Sequence, residues 1–262
     1  MRADQLLVER GLAVSRSQAS RLIAAGVQWR PSEASPWVAV VKNGQELPDS
    51  AQIELVDTAE ARYVSRGGLK LEGALRHTGV SVRERLCLDV GQSTGGFTDC
   101  LLQAGAAHVV GVDVGQGQLY ERLRFDDRVT CIEQLNARNM TTLELMAECE
   151  GLESPRGPFD GQFDLITGDL SFISLTLVMP ALMPMLGLGG DLLMLVKPQF
   201  ELQPGQVGKG GIVRDPAMYA VVEARLRGAC AELGLQVQDW FDSPISGGDG
   251  NREFFIHARR AA

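Results

Sequence analysis

The sequence predicts an α/β protein: a Rossmann-like, doubly wound sheet, mainly parallel with its last strand antiparallel, preceded by a small α+β domain. Three observations lead there. Past residue 60, short apolar and β-branched runs alternate with helical stretches, as in parallel strands joined by crossover helices. Before residue 60 the chain shows two short helical segments and then β-rich pieces around a turn. Acids and glycines gather where the first two strands of the alternating part end, the edge at which doubly wound sheets bind ligands. The domains are accordingly expected at 1–60 and 61–262.

In the first domain Leu6, Leu7 and Val8 precede Gly11, giving a short helix with a glycine stop. Ser15, with Gln18 three residues on, forms a capping box that opens a second helix running to Gly26. Strand-like pieces follow at 38–41 and 53–56, separated by the turn Asn43-Gly44. In the second domain strands are expected at 85–90, 109–112, 128–132, 163–167, 192–196, 235–240 and 253–258. The helix after Asp215-Pro216 has an acid at its N-cap, proline in its first turn, apolar residues through Ala229, and Gly234 as its stop.

With 45% hydrophobic and 22% charged residues among 262, the composition is that of a globular protein rather than a disordered or fibrous one. Five cysteines lie scattered with no C-x-x-C pair, which argues against a zinc site or a disulfide framework and for a reducing, cytoplasmic home; no metal is expected. Asp4 and Glu9 interrupt the N-terminus, so it does not read as a secretory signal. The longest apolar stretch, 175–195, is broken by Pro180, Pro184, Gly187, Gly189, Gly190 and Asp191, so no membrane association is expected. No obligate protein partner is implied. His77, His108 and His257 show no ligand spacing and read as incidental.

The net charge of −8 is unlike that of a nucleic-acid-binding protein, but charge is local. Residues 1–30 hold Arg2, Arg10, Arg16, Arg21 and Arg30 against Asp4 and Glu9, a surplus of +3. These arginines either meet phosphates or form a solvated helix face. Further on, 200–215 combines four glycines with Lys209 and Arg214, and serves either as a lid over RNA phosphates or as a plain connection.

At the binding edge the sequence is LCLDVGQSTGGFTD. Asp89 and Gly91 end the first strand, Ser93 follows, and Gly95-Gly96 lead into a helix, leaving backbone free to approach a ligand. Asp113 ends the second strand 24 residues after Asp89, where a carboxylate grips ribose hydroxyls. Dinucleotide-binding and S-adenosylmethionine-binding folds share this layout. The former wants G-x-G-x-x-G facing a pyrophosphate; here the pattern is G-x-S-x-x-G, the serine crowds that approach, and the Asp89 charge repels phosphate while suiting a cationic sulfonium. Asn136, after the third strand, either touches an adenosine or forms a turn.

Four ionisable residues sit in apolar surroundings at element ends: Lys70 in SRGGLKLEGAL, Asp169 in GDLSFISL, Lys197 in LVKPQFE and Glu253 in GNREFF. The set resembles the Lys-Asp-Lys-Glu tetrad of FtsJ-type ribose 2′-O-methyltransferases. The pattern R-x-D-x-x-L-x-x-R-G-L-x-x-S-R-x-x-A-x-x-L-I-x-x-G over 2–26 resembles the RNA-binding module of ribosomal protein S-four, although the segment after it departs from the short V-x-V-N-G expected there. With YVSRGGLKL, STGGFTD, DLSFISL, VKPQFE and the glycine-glutamine motif around Gln118, the chain from 2 to 259 resembles the TlyA family, whose members often carry a haemolysin label. One departure is Gln92, where a smaller residue is expected.

The resemblance implies S-adenosyl-L-methionine as cofactor, ribosomal RNA or ribosomal subunits as partner, and methyl transfer to a cytidine 2′-hydroxyl. It implies Lys70, Asp169, Lys197 and Glu253 as the catalytic set, without deciding which is the base. A nicotinamide oxidoreductase, or an RNA-binding or membrane-lytic protein without such activity, are the competing classes.

Overall fold

A computed structural model describes residues 1–56, 61–155, 157–247 and 250–261. The chain separates into two units, Met1–Leu69 and Lys70–Ala262.

In the first unit, α1 (Ala3–Glu9) ends just before Gly11, whose φ of +69° a side chain would strain. α2 (Arg16–Gly26) starts at Ser15, whose Oγ accepts from the Gln18 amide. The expected capping box is only half formed: the Gln18 side-chain oxygen accepts from Val14 N, one residue further back, while its NH2 donates to the Tyr63 carbonyl. Three antiparallel strands follow, β1 (Val27–Arg30), β2 (Val38–Ala39) and β3 (Gln52–Leu55), in the order β2-β1-β3. β1 was not legible in the sequence, because four residues continuing directly from a helix are too short for a period-2 pattern. The expected strand at 38–41 shrinks to two exposed residues. Leu6, Leu7, Leu22, Ile23, Val27 and Leu47 bury the shared faces, each fully buried leucine being worth about 1.5–3 kcal/mol.

The second unit is built on a seven-stranded sheet in the order β11-β12-β10-β9-β4-β5-β6. Its strands are β4 (Leu86–Val90), β5 (His108–Val112), β6 (Val129–Ile132), β9 (Phe163–Gly168), β10 (Leu186–Val196), β11 (Leu235–Asp242) and β12 (Phe254–Arg260). β12 runs antiparallel to both neighbours and the rest are parallel, the expected fold class. The two-residue strands β7 (Glu153–Ser154) and β8 (Gly157–Pro158) form a separate hairpin. After β4 the chain builds outward through β5 and β6, then returns to lay β9 on the other side of β4, so the switch in strand order lies between β4 and β9.

β10 begins six residues before the expected 192–196. Gly187, Gly189 and Gly190 read as breakers, yet they form an irregularity: Leu186 pairs with Phe163, and the register shifts before Asp191 pairs with Leu165. β11 likewise continues to Asp242. In α9 (Ala217–Glu232) the start is shifted by one residue: Pro216 takes the N-cap position and Asp215, just before it, accepts from Ala217 N through Oδ1, while Gly234 follows the helix at φ +73° as expected. Phe163, Leu165, Ile166, Leu192, Phe255 and Ile256 are fully buried.

His257 is not incidental. Its ring bonds Asp191 at 2.9 Å, and Arg85 (2.7 Å) and Arg259 (3.3 Å) complete the compensation of that buried carboxylate on β10. Among the described residues, no helix is long and apolar enough to cross a membrane.

Candidate active site

The carboxyl ends of β4 and β5 form one wall of a 460 Å³ pocket, within the size range of small-ligand sites, ~300–1,000 Å³. Gly91, at φ +83°, donates its amide to Val112 O. A Cβ there would stand 2.9 Å from the Asp169 carbonyl, so the position admits only glycine without a shift. The Asp113 carboxylate accepts from Ser93 N and from Gly115 N, both at 2.7 Å, fastening the two loops that edge the pocket. Ser93 itself sits at φ +48°, the kind of strained backbone that collects at functional sites.

Of the expected cofactor residues, Gly91, Ser93, Asp113 and Asn136 line this pocket. Asn136 forms the expected turn, its Oδ1 accepting from Arg138 N, and the residue also lines the pocket. Asp89 stands behind it, fully buried, accepting from Thr98 Oγ1 at 2.7 Å. Burial pushes its carboxyl up to about 7. Gln92 completes this arrangement: its Nε2 donates to Thr98 Oγ1, and it packs where a Gly111 Cβ would lie, so Gly111 makes room for the larger side chain. Gly95 serves packing, because a Cβ at its φ of +94° would come within 2.4 Å of Leu123. Gly96 is buried at the first turn of α4 (Gly96–Gln103). Gln118 escaped the residue-by-residue reading although its motif was noticed; it lines the pocket and accepts from Ser93 Oγ at 3.2 Å.

The four expected catalytic residues meet at the same sheet edge. Asp169 follows β9, Lys197 follows β10, Glu253 precedes the antiparallel β12, and Lys70 lies in the first turns of α3 (Gly67–Thr78). Lys197 Nζ is 2.5 Å from Asp169 Oδ1 and donates to Ser171 Oγ at 2.8 Å. Lys70 Nζ is 2.5 Å from Glu253 Oε2 and 4.0 Å from Asp169 Oδ2. Burial pushes the Glu253 carboxyl above the usual carboxylate range, against the opposing pull of the Lys70 ammonium. Asp169 belongs to both structures: it lines the pocket and touches both lysines.

Phe172 was also missed. It is 90% exposed at φ +64°, lines the pocket, and its ring lies 5.1 Å from that of Phe200. An exposed aromatic in a left-handed conformation leaves no trace in hydrophobic periodicity.

The expected RNA-binding residues are dispersed. Arg2 and Arg16 converge on the buried carboxylate of Asp4. Arg10 donates to the carbonyls of Asp49 and Ala51, and Arg21 is half-buried on α2. Lys209 and Arg214 are exposed. Their loop is fastened, with Gly208 N donating to Ile212 O and the Asn251 side chain bonding Val213 N and Gly211 O.

Residues 63–260 match the FtsJ-like methyltransferase family. The chain is 43% identical to the 16S/23S rRNA (cytidine-2′-O)-methyltransferase TlyA of Mycobacterium tuberculosis, over 98% of this chain and 89% of that protein. A solved chain described as a hemolysin from Streptococcus thermophilus is similar with a TM-score of 0.72 and 38% identity, covering 100% of this chain and 88% of that one. A solved chain described as an S-adenosylmethionine-dependent methyltransferase from Listeria monocytogenes shares the fold, with a TM-score of 0.52 at 13% identity over 75% of this chain and 99% of its own.

Proposed function

Because this chain belongs to the FtsJ-like methyltransferase family, and within it to the TlyA type, we propose that it methylates the ribose 2′-hydroxyl of a cytidine in ribosomal RNA with S-adenosyl-L-methionine as donor. The observation that carries this reading is the double membership of Asp169, which joins a nucleoside-sized pocket to a pair of lysine–carboxylate contacts.

The pocket suits a nucleoside with a sulfonium group. Asp113 supplies a carboxylate for ribose hydroxyls, Gly91 lets backbone approach, and Val112, Leu135 and Ile173 give apolar walls. When bound, S-adenosylmethionine supplies an electrophilic methyl group. The protein's own work is then to hold a hydroxyl oxygen in line with that carbon and to take its proton. Orientation contributes a large share of the rate. Lys197, Lys70, Asp169 and Glu253 form a proton-accepting cluster at the pocket's edge, and proton removal is worth about 10²–10⁴-fold. Phe172 offers a ring face on which a base of the substrate strand can stack. Residues 1–60 form an RNA-binding module that brings the substrate's phosphates to the enzyme, and the exposed Lys209 and Arg214 add positive charge for the RNA.

Ribosomal RNA and isolated ribosomal subunits, incubated with the protein and S-adenosylmethionine, test this directly. Mapping should show a new 2′-O-methyl group on cytidine. Methyl groups found only on base atoms would overturn the ribose assignment, and none on any ribosomal substrate would overturn the RNA reading.

A further inference from the structure

We propose that Glu201 is a positioning residue for methyl transfer, fixing the loop between Asp169 and Leu175 in the shape that presents Asp169 and Phe172 at the pocket. This rests on the reading above, that the tetrad methylates RNA.

Glu201 ends the short helix α8 (Pro198–Glu201), four residues past Lys197. It is 3% exposed, and none of the chemistry described so far uses it. Its Oε1 accepts from Leu175 N at 2.7 Å and its Oε2 from Ser174 Oγ at 2.5 Å. Leu175 opens α7 (Leu175–Leu182), which already has an N-cap in Ser174, whose Oγ accepts from Thr176 N. That cap satisfies Thr176 N alone, so the Leu175 amide is left to Glu201, 26 residues away, and burying such an acid is unfavourable unless its bonds compensate. What they add is a cross-link between the segment after β10 and the loop after β9. Arg225 of α9 donates to the Glu201 carbonyl, so the acid's own backbone is held as well.

The loop needs such a hold. Phe172 lies at φ +64°, which a bulky side chain keeps only where its surroundings fix both flanks. On the near flank Asp169 N donates to Val90 O, and Lys197 bonds Ser171 Oγ at 2.8 Å. On the far flank stand the two Glu201 bonds. The run from Lys197 to Glu201 thus grips the loop at Asp169, Ser171, Phe172, Ser174 and Leu175, with the Phe172–Phe200 ring contact in between. Lys197 and Glu201 belong to one motif because they hold opposite ends of one loop.

Three variants separate positioning from plain stability: Glu201→Ala, Glu201→Gln and, as a control, Leu235→Ala at the far end of β11, where Leu235 pairs with Arg260. Glu201→Ala should lower the single-turnover rate at saturating RNA and cofactor by about tenfold or more, the scale on which small misplacements act. Glu201→Gln should recover to within about threefold, because its oxygen accepts from Leu175 N while its NH2 donates to Ser174 Oγ. Leu235→Ala should lose melting temperature yet keep its saturated rate. Hydrogen exchange over 173–178 should speed up in Glu201→Ala and not in Leu235→Ala. Glu201→Ala at the wild-type saturated rate, or slowed no more than Leu235→Ala at equal fraction folded, overturns the proposal. If the wild-type protein methylates no RNA, exchange decides alone, and unchanged protection over 173–178 in Glu201→Ala is then the overturning result.

Discussion

Asp4 in the first unit and Asp169 in the second are both carboxylates set between two cations, yet the cations differ and so does the outcome. Arg2 reaches Asp4 with Nε at 2.9 Å and Nη2 at 3.0 Å, and Arg16 adds Nη2 at 2.7 Å. Arg2 meets the carboxylate in bidentate fashion and Arg16 places two donors on its Oδ2, and the hydrogen bond from Arg2 leads in holding the carboxyl well below the usual range. Asp169 has an ammonium at 2.5 Å on one oxygen and another at 4.0 Å on the second, the latter drawn away to Glu253. Each lysine is a point charge with three rotatable donors, so capacity remains for a substrate oxygen. A carboxylate saturated by guanidinium forks is scaffolding. One shared unevenly between ammoniums at a pocket's edge is what the proposed methyl transfer calls for. The comparison also revises the charge of residues 1–30, because two of the arginines expected to meet phosphates share one internal acid.

The largest expected effect tests the reactive side of this contrast. Lys197→Met keeps much of the side chain's length and removes its nitrogen, so folding and cofactor affinity should survive while single-turnover methylation falls at least ~10²-fold. A near wild-type rate would show that the uneven sharing of Asp169 has no chemical meaning. Next is Asp113→Ala, which takes away the carboxylate that two backbone amides now share with the pocket. It should weaken S-adenosylhomocysteine binding by about ten- to hundredfold, and unchanged calorimetric affinity would remove Asp113 from the site.

The smallest effect belongs to the scaffold. Asp4→Ala should destabilise the first unit by about 1–2 kcal/mol, a modest figure because the two guanidinium side chains are 42% and 58% exposed and remain solvated when left alone. The sign with pH is fixed by the lowered carboxyl. Its stabilisation is complete above the ordinary carboxyl range near ~4 and drains away as the pH falls below it. Denaturant midpoints of wild type and variant should therefore converge on acidification, and a gap independent of pH would show that Asp4 acts by packing rather than by charge.

What was legible in the chain follows the same division. The order of strands and helices in the second unit and the edge of the pocket could be read, because strand ends, glycines and acids are local signals, and Gly91, Asp113 and the two residues after β9 and β10 sit where those signals put them. β1, the first six residues of β10, Gln118 and Phe172 could not, for their environment comes from partners far along the chain.

The sequence by itself determined the fold class and the edge where the pocket lies, since side-chain periodicity and capping chemistry act over a few residues, and the family resemblance of its motifs picked out the four charged residues that meet there. Only the tertiary structure decided who pairs with whom. Lys70 meets Glu253 because β12 enters the sheet antiparallel beside β10 and begins at the edge where β9 and β10 end. Glu201, after β10, reaches Ser174, after β9, for the same reason. Such contacts depend on register and strand order, which bring distant residues within 3 Å and which no local pattern encodes.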